Sequence, residues 1–184
     1  EHATPGEYAD TWLRNHRPNI KASTYDHYRA YLSNHVLPRF SHLRLDEIDR
    51  EGVAAFKADL AAKGTLAPQS VNHALKVLKK LLSDSVLDGY LAVNPALSVK
   101  PLPLPKDELE FLRPDELNLL LDKAKPHFRP LFLTAMLAGM RRGELLAVRH
   151  TDIDHASAQV HVRRTLYGGS SPHPKSEASR RAID

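Results

Sequence analysis

The sequence contains no cysteine and no long apolar run. The lack of cysteine excludes a disulfide framework, a cysteine-ligated zinc site and a thiol nucleophile. No segment approaches the roughly 18 apolar residues that a membrane-spanning helix needs, and no charged-then-apolar leader opens the chain. Only 8 glycines and 13 prolines occur among 184 residues, so low-complexity disorder is not expected. These absences predict a soluble cytoplasmic protein with an ordinary apolar core.

The charge balance leans towards the basic side. The chain has 26 lysines and arginines against 22 acidic residues, a formal net charge of +4. Such a balance permits a polyanionic partner without locating it. The distribution of charge along the predicted helices therefore decides where a partner would bind.

A proline-rich segment divides the chain. Residues 99–106 read Val-Lys-Pro-Leu-Pro-Leu-Pro-Lys. Each proline restricts the preceding residue to extended conformations, which favours a semi-rigid linker. The predicted organisation is a helical domain over 1–99, a linker over 100–106 and a second domain over 107–184. The alternative is a loop that lies against a single domain.

Four helices are predicted before the linker. Ser23 and Asp26 have capping-box spacing, Pro38 is expected to end the second helix, and Gly64 is expected to stop the third. The predicted ranges are about 5–15, 23–38, 50–62 and 68–87.

The region after the linker changes from helical to strand periodicity. Helices are predicted over about 114–124, 129–137 and 141–149. Residues 158–163 then alternate apolar and polar side chains, and 181–184 begin a second strand. The predicted fold class is mainly α: a four-helix domain, then an α+β region with helices and a small antiparallel hairpin.

The fourth predicted helix has one polar face that holds no carboxylate until Asp84. Amide, imidazole and ammonium groups at helical spacing suit a helix in the major groove of DNA, where amides address base edges and lysines neutralise phosphates. The alternative is the solvated face of a bundle helix. The residues of this face are Gln69, Asn72, His73, Lys76 and Lys80, with Lys79 at its edge.

The second predicted helix gives a weaker signal of the same kind. Lys21 and His27 are placed to approach a DNA backbone, but Asp26 lies on the same side and would be repelled by phosphate. Taken by itself, this helix favours a solvated face.

Two further motifs carry a family resemblance. Residues 139–146 read Gly-Met-Arg-Arg-Gly-Glu-Leu-Leu, with Asp-Ile-Asp at 152–154, and resemble the first catalytic-arginine motif of tyrosine recombinases, the phage-type integrases. Residues 174–181 are similar to the family's lysine-bearing turn. Thr24-Tyr25 and Asn94-Pro95 lie in an order similar to its core-binding domain. The resemblance covers nearly the whole chain.

The resemblance implies a function and a set of roles. Arg141 would bind non-bridging phosphate oxygens, Lys175 would protonate the leaving 5′ oxygen, and Glu144 would orient Arg141 or its helix. The family breaks and rejoins duplex DNA through a 3′-phosphotyrosyl intermediate without metal or other cofactor. Its members act as tetramers on paired sites, whereas this chain alone is expected to be monomeric. Without the resemblance, Glu144 would be read as a surface pair with Arg141.

The chain also departs from the family pattern. Ala138 stands before Gly139 where the family usually has threonine. The family's later His-x-x-Arg and nucleophilic tyrosine do not follow Lys175, so the chain alone is expected not to cleave DNA. Neither the His-x-x-Arg of residues 161–164 nor Tyr167 substitutes for them, because both precede Lys175.

Two other interpretations remain open on sequence alone. One is a non-catalytic, sequence-specific DNA-binding regulator or recombination antagonist, which shares the polar helix face. The other is a helical protein-interaction module, which leaves that face unexplained. A metal-dependent nuclease is not expected, because the histidines are scattered and no metal-ligand motif occurs.

Overall fold

Residues 3–105, 111–168 and 181–183 are described by the structure, a computed structural model. The chain divides into two units, residues 1–107 and 108–184. None of the helices in the three described ranges has the length and hydropathy that crossing a membrane requires.

The first unit is helical. It contains α1 (Pro5–His16), α2 (Ala22–Tyr31), α3 (Leu37–Phe40), α4 (Arg50–Ala62) and α5 (Pro68–Leu87). Short 3₁₀ turns lie at Arg17–Asn19 and Leu45–Glu47, and a π turn lies at Leu32–Val36. The ranges predicted for the first, third and fourth helices are confirmed to within a residue.

The core of this unit is built around α5. Trp12 of α1 packs against the helix and donates its indole N–H to the buried Asp84 carboxylate at 2.7 Å. Each fully buried leucine contributes about 1.5–3 kcal/mol, so this helix supplies much of the unit's stability. The apolar face is buried as its periodicity predicts: Val71, Ala74, Leu75, Leu78, Leu81 and Leu82.

Two predictions about the ends of the second helix are wrong. The helix begins at Ala22 with Lys21 at its N-cap and no side-chain cap, so Ser23 and Asp26 form no capping box. Pro38 does not end the helical path, because the π turn leads directly into α3. A proline ring clashes with the carbonyl four residues earlier in a regular helix, and the wider π turn relieves that clash.

The segment that leads into the proline-rich region lies against the first unit. Asn72 of α5 donates its amide to the Leu102 carbonyl at 3.0 Å and accepts the Leu102 N–H at 2.7 Å. Lys79 donates to the Val99 carbonyl at 2.6 Å, and Lys57 of α4 donates to that of Lys100 at 3.0 Å. Residues 99–102 are therefore fixed on α4 and α5, whereas 103–105 are exposed. The assignment of residues 100–106 as a linker between two domains stays a prediction.

The second unit combines short helices with a small sheet. It contains α6 (Pro114–Lys123), α7 (Arg129–Ala138) and α8 (Arg142–Leu145), with 3₁₀ turns at Pro126–Phe128 and His150–Asp152. Strands β1 (Ile153–Asp154), β2 (Gln159–Val162) and β3 (Arg181–Ile183) form an antiparallel sheet in the order β1-β2-β3. The fold class, mainly helical with a small antiparallel sheet, is confirmed.

The helix predicted over 141–149 is too long. It ends at Leu145, because Arg149 is extended and donates its backbone N–H to the Asp152 carboxylate at 2.9 Å. This bond starts the following 3₁₀ turn instead of prolonging α8. Strand β1 was not predicted, since two residues are too few for an alternating pattern.

Candidate functional site

Arg141 stands at a sharp entry into α8. Gly139 ends α7 with φ of +56°, a left-handed conformation that glycine adopts without strain. Met140 is buried beside it, and Arg141 follows as the extended N-cap of α8. The turn leaves the Arg141 side chain 73% exposed, although its backbone lies at the start of a helix.

Glu144 is the anchor of this site. Its side chain is only 4% exposed and accepts the Arg141 backbone N–H at 3.1 Å and the Arg141 Nη1–H at 3.0 Å. Arg181 of β3 donates to both carboxylate oxygens, at 3.0 and 3.3 Å. The interpretation of Glu144 as a surface pair is therefore wrong, because a buried carboxylate joins two arginines from different elements.

The pKa of Glu144 follows from these contacts. Burial raises the pKa of a carboxyl, but here the hydrogen bonds from Arg181 and Arg141 outweigh it and hold the pKa below its ordinary value. Glu144 is thus a carboxylate at neutral pH and provides a fixed negative charge beneath Arg141.

Gly143 brings another segment against α8. Its carbonyl accepts the Leu166 N–H at 2.7 Å, and a Cβ at this position would meet the Thr165 side chain and, at 3.1 Å, the Leu166 carbonyl. Only glycine permits this close approach without a shift of the backbone. The residues after β2 therefore pack on the helix that presents Arg141.

Asp152 is a second buried carboxylate, and sequence reasoning gave it no role in this site. Its side chain is 1% exposed and accepts two hydrogen bonds from Arg164, at 2.7 and 3.0 Å. This pair ties the end of β2 to the turn before β1. Arg164 and Arg181 were also missed, because an ion pair between residues far apart in sequence leaves no local pattern.

One further predicted catalytic residue and two residues that were given no catalytic role lie as follows. Lys175 lies outside the described residues. His161 lies on strand β2, and Tyr167 follows that strand. Neither position gives a reason to assign the residue a catalytic role. Among the residues that the structure describes, no group of three or more potential ligands is placed to hold a metal ion.

The polar face of α5 is divided between structural and exposed groups. Asn72 and Lys79 hold residues 97–102, and Lys80 donates to Asp84 at 2.7 Å. Gln69 and Lys76 are exposed, and no described residue accepts a hydrogen bond from either. Of the predicted contact residues on this helix, these two are therefore the most available.

A histidine pair extends this face towards α2. The rings of His27 and His73 lie 5.3 Å apart, and Tyr31 packs against both. Burial lowers the pKa of His27, and the neighbouring His73 and Lys76 lower it further. Lys21 is exposed at the start of α2.

Comparison with known proteins agrees with this architecture. Residues 4–57 match the family model of the phage integrase N-terminal SAM-like domain. A prophage phiRv2 integrase of Mycobacterium tuberculosis is 30% identical over 183 residues, which cover 97% of this chain and 48% of that protein. A XerC-like tyrosine recombinase of Caldanaerobacter subterraneus is 27% identical over 89% of this chain and 44% of its own length. Over nearly its whole length the chain is similar to tyrosine recombinases.

A solved structure shares the fold. The integrase of transposon Tn1549, in complex with a circular intermediate DNA, matches with a TM-score of 0.81 over 98% of this chain and 60% of its own, at 17% identity. The chain spans about half the length of the curated relatives that it matches. Its motifs at Arg141 and Glu144 thus stand in a recombinase fold.

Proposed function

We propose that the chain takes part in site-specific DNA recombination, as the DNA-binding part and the opening catalytic part of a tyrosine recombinase. On this proposal the full-length enzyme cleaves and rejoins double-stranded DNA at integration sites through a 3′-phosphotyrosyl intermediate, in the bacterial cytoplasm. The observation that carries the proposal is the exposed Arg141 guanidinium held by the buried Glu144 carboxylate.

The chemistry of strand transfer suits this arrangement. A guanidinium can donate two parallel hydrogen bonds to non-bridging phosphate oxygens, where negative charge grows in the transition state. The hydrogen bond from Nη1 to Glu144 leaves the other nitrogens of Arg141 without an acceptor among the described residues. Lys175 is proposed to protonate the leaving 5′ oxygen.

DNA contact is assigned to the polar face of α5 and the neighbouring part of α2. We place Gln69, His73 and Lys76 nearest the duplex, with Lys21 and His27 at the edge. Asn72, Lys79 and Lys80 already have partners that a phosphate or base would have to replace. They are therefore assigned to the flank of the contact.

The contact is tested by measuring affinity for duplex DNA over a range of salt concentrations. Each neutralised phosphate adds about 0.9 to the magnitude of the slope of log affinity against log salt. Lys76→Ala combined with Gln69→Ala is expected to weaken binding and reduce that slope. Lys63→Ala, which removes an exposed lysine at the end of α4, is the matched control and should leave both unchanged. Equal effects of the two variants would refute this assignment.

The isolated 184 residues are proposed to bind DNA without cleaving it. No tyrosine follows Tyr167 in the sequence, and Tyr167 precedes Lys175. Incubation with a nicked duplex should therefore give no adduct that survives denaturing electrophoresis. A covalent adduct that is abolished by Tyr167→Phe would show that this residue is a nucleophile and would overturn the proposal.

A DNA-binding regulator without catalysis is the alternative, favoured by the exposed Gln69 and Lys76 on α5, which would contact DNA without any catalytic group. Coding sequence downstream of Asp184 distinguishes the two, because a His-x-x-Arg followed by a tyrosine would identify the enzyme. For assembly, we propose a monomeric 184-residue chain and a tetrameric full-length enzyme on paired sites. Sedimentation of the chain with and without duplex DNA tests the first of these.

A further inference from the structure

We propose that Arg181 is a positioning residue for Arg141. It occupies the Glu144 carboxylate and thereby keeps the Arg141 guanidinium available to a DNA phosphate. This inference rests on the proposed function, in which Arg141 binds phosphate. Its basis is the geometry of three side chains in the second unit.

Arg181 and Arg141 use Glu144 in different ways. Arg181 binds as a fork, with Nη2 3.0 Å from Oε2 and Nη1 3.3 Å from Oε1. Arg141 uses only one side-chain nitrogen, Nη1, at 3.0 Å from Oε1, together with its backbone N–H at 3.1 Å from Oε2. Arg181 is 34% exposed and Arg141 73% exposed, so the better buried arginine holds the fork.

The carboxylate is saturated by these four bonds. A carboxylate offers about four lone-pair sites to donors, and each oxygen of Glu144 accepts two hydrogen bonds. Glu144 therefore has no free lone pair with which the Arg141 guanidinium can form a second hydrogen bond. Its remaining guanidinium edge stays directed away from the carboxylate, free for the two parallel bonds that a phosphate accepts.

Removal of Arg181 is expected to change how Arg141 binds the Glu144 carboxylate. Glu144 would keep its burial but lose one of its two cations, and a buried carboxylate with an unfilled site recruits the nearest donor. That donor is the Arg141 guanidinium, three residues away on the same turn. A fork between Arg141 and Glu144 would use the guanidinium edge that binds phosphate. Arg141 would then stay charged but would no longer donate two parallel hydrogen bonds to a phosphate.

The test is a double-mutant cycle on the salt dependence of DNA binding by the 184-residue chain. Arg141→Ala is expected to reduce the slope by about 0.9, the contribution of one phosphate. Arg181→Met should reduce it by a similar amount, and the double variant should show no further reduction. A solely structural role would lower the melting temperature of Arg181→Met while leaving its slope at the wild-type value, and that result would overturn the inference.

Arg164 provides a matched control. It forms the same kind of fork on a buried carboxylate, Asp152, in the same unit. Arg164→Met should lower the melting temperature without reducing the slope. An equal loss of slope in this variant would mean that any damage to the unit abolishes the contact, which would also overturn the inference.

A second variant covers the case in which Arg181→Met does not fold. Lysine keeps the charge but presents a single point of contact, so Arg181→Lys leaves one carboxylate oxygen open to Arg141. Its slope should fall towards that of Arg141→Ala, and a wild-type slope in the folded variant would contradict the inference. If Arg141→Ala itself leaves the slope unchanged, Arg141 does not bind phosphate and the proposed function fails with it.

Discussion

Replacement of Glu144 by glutamine should weaken the second unit in a pH-dependent way. Glutamine keeps the approximate size of the side chain but removes the negative charge that Arg141 and Arg181 share. Because the side chain is 4% exposed, water has little access to replace the lost partner. The change therefore tests whether this carboxylate holds α8 against β3.

The expected magnitude follows from the two arginines. A hydrogen bond to a charged group contributes about 1.5–3 kcal/mol. The Arg141 contribution is reduced by solvent, since that side chain is 73% exposed, and the less exposed Arg181 fork dominates. Glu144→Gln is therefore expected to lower the free energy of unfolding by about 1.5–3 kcal/mol at pH 7.

The pH dependence has a definite sign. Burial raises the pKa of Glu144, but the hydrogen bonds from Arg181 and Arg141 outweigh it, so the folded pKa lies below the ordinary value of 4.5. The stabilisation by the charge is therefore present above pH 4.5 and is lost as the pH falls through the folded value. The difference between wild type and Glu144→Gln should be full at pH 7 and shrink in acid.

Urea denaturation followed by far-UV circular dichroism at neutral and acidic pH measures this difference. Trp12, the single tryptophan, lies in the first unit, so its fluorescence transition should not move. Glu116→Gln is the control, because Glu116 also accepts the N–H of an arginine three residues earlier, at 2.8 Å, but is 42% exposed. Equal losses in the two variants, or a loss at Glu144 that does not change with pH, would refute the reasoning.

Three further predictions concern packing, tethering and titration. Gly143→Ala should cost about 1–3 kcal/mol of unfolding free energy in urea, because the added Cβ meets the Leu166 carbonyl at 3.1 Å. Asn72→Ala should speed hydrogen exchange of the Leu102 amide, which donates to Asn72 at 2.7 Å. His27→Gln should remove a loss of stability below about pH 6.5, because the folded pKa of His27 is lowered and the unfolded chain then binds more protons.

Each of these has a control. Gly6→Ala adds a Cβ that meets nothing nearer than 3.9 Å and should not destabilise α1, so a comparable cost there would contradict the packing argument. Gln69→Ala, on the same helix as Asn72, should leave exchange of the Leu102 amide unchanged. His42→Gln, at an exposed position, should keep the acid loss that His27→Gln removes; identical pH profiles would contradict the His27 assignment.

Local sequence signals predicted those parts of the fold that local interactions determine. The 3.6-residue period located α5, and Gly64, with φ of +65°, follows α4 as predicted. The prediction that Pro38 ends the second helix was wrong, because the effect of a proline on a helix depends on whether the preceding turn can widen. Composition does not indicate whether a turn can widen. The helix after Arg141 was overestimated because Arg149 prefers the bond to Asp152 over another helical turn.

The candidate site was predicted only in part for a related reason. A motif within eight residues identified Arg141 and Glu144, but it did not indicate that Glu144 is buried. The buried carboxylate is paired with Arg181, 37 residues away. The helical wheel likewise placed Asn72 and Lys79 on the polar face of α5 without showing that residues 97–102 would occupy them. Long-range pairing decides both outcomes, and periodicity does not detect it.

The described parts of the two units bury different kinds of side chain. In the first unit, α5 and its neighbours bury a large apolar cluster. Among the described residues of the second unit, the buried apolar side chains are Met140, Ala147 and Val162, whereas Glu144 and Asp152 are buried with their arginines. Buried carboxylates are costly unless fully paired, but their partners have defined directions. In this unit the two buried carboxylates therefore fix the directions of the arginine side chains that bind them.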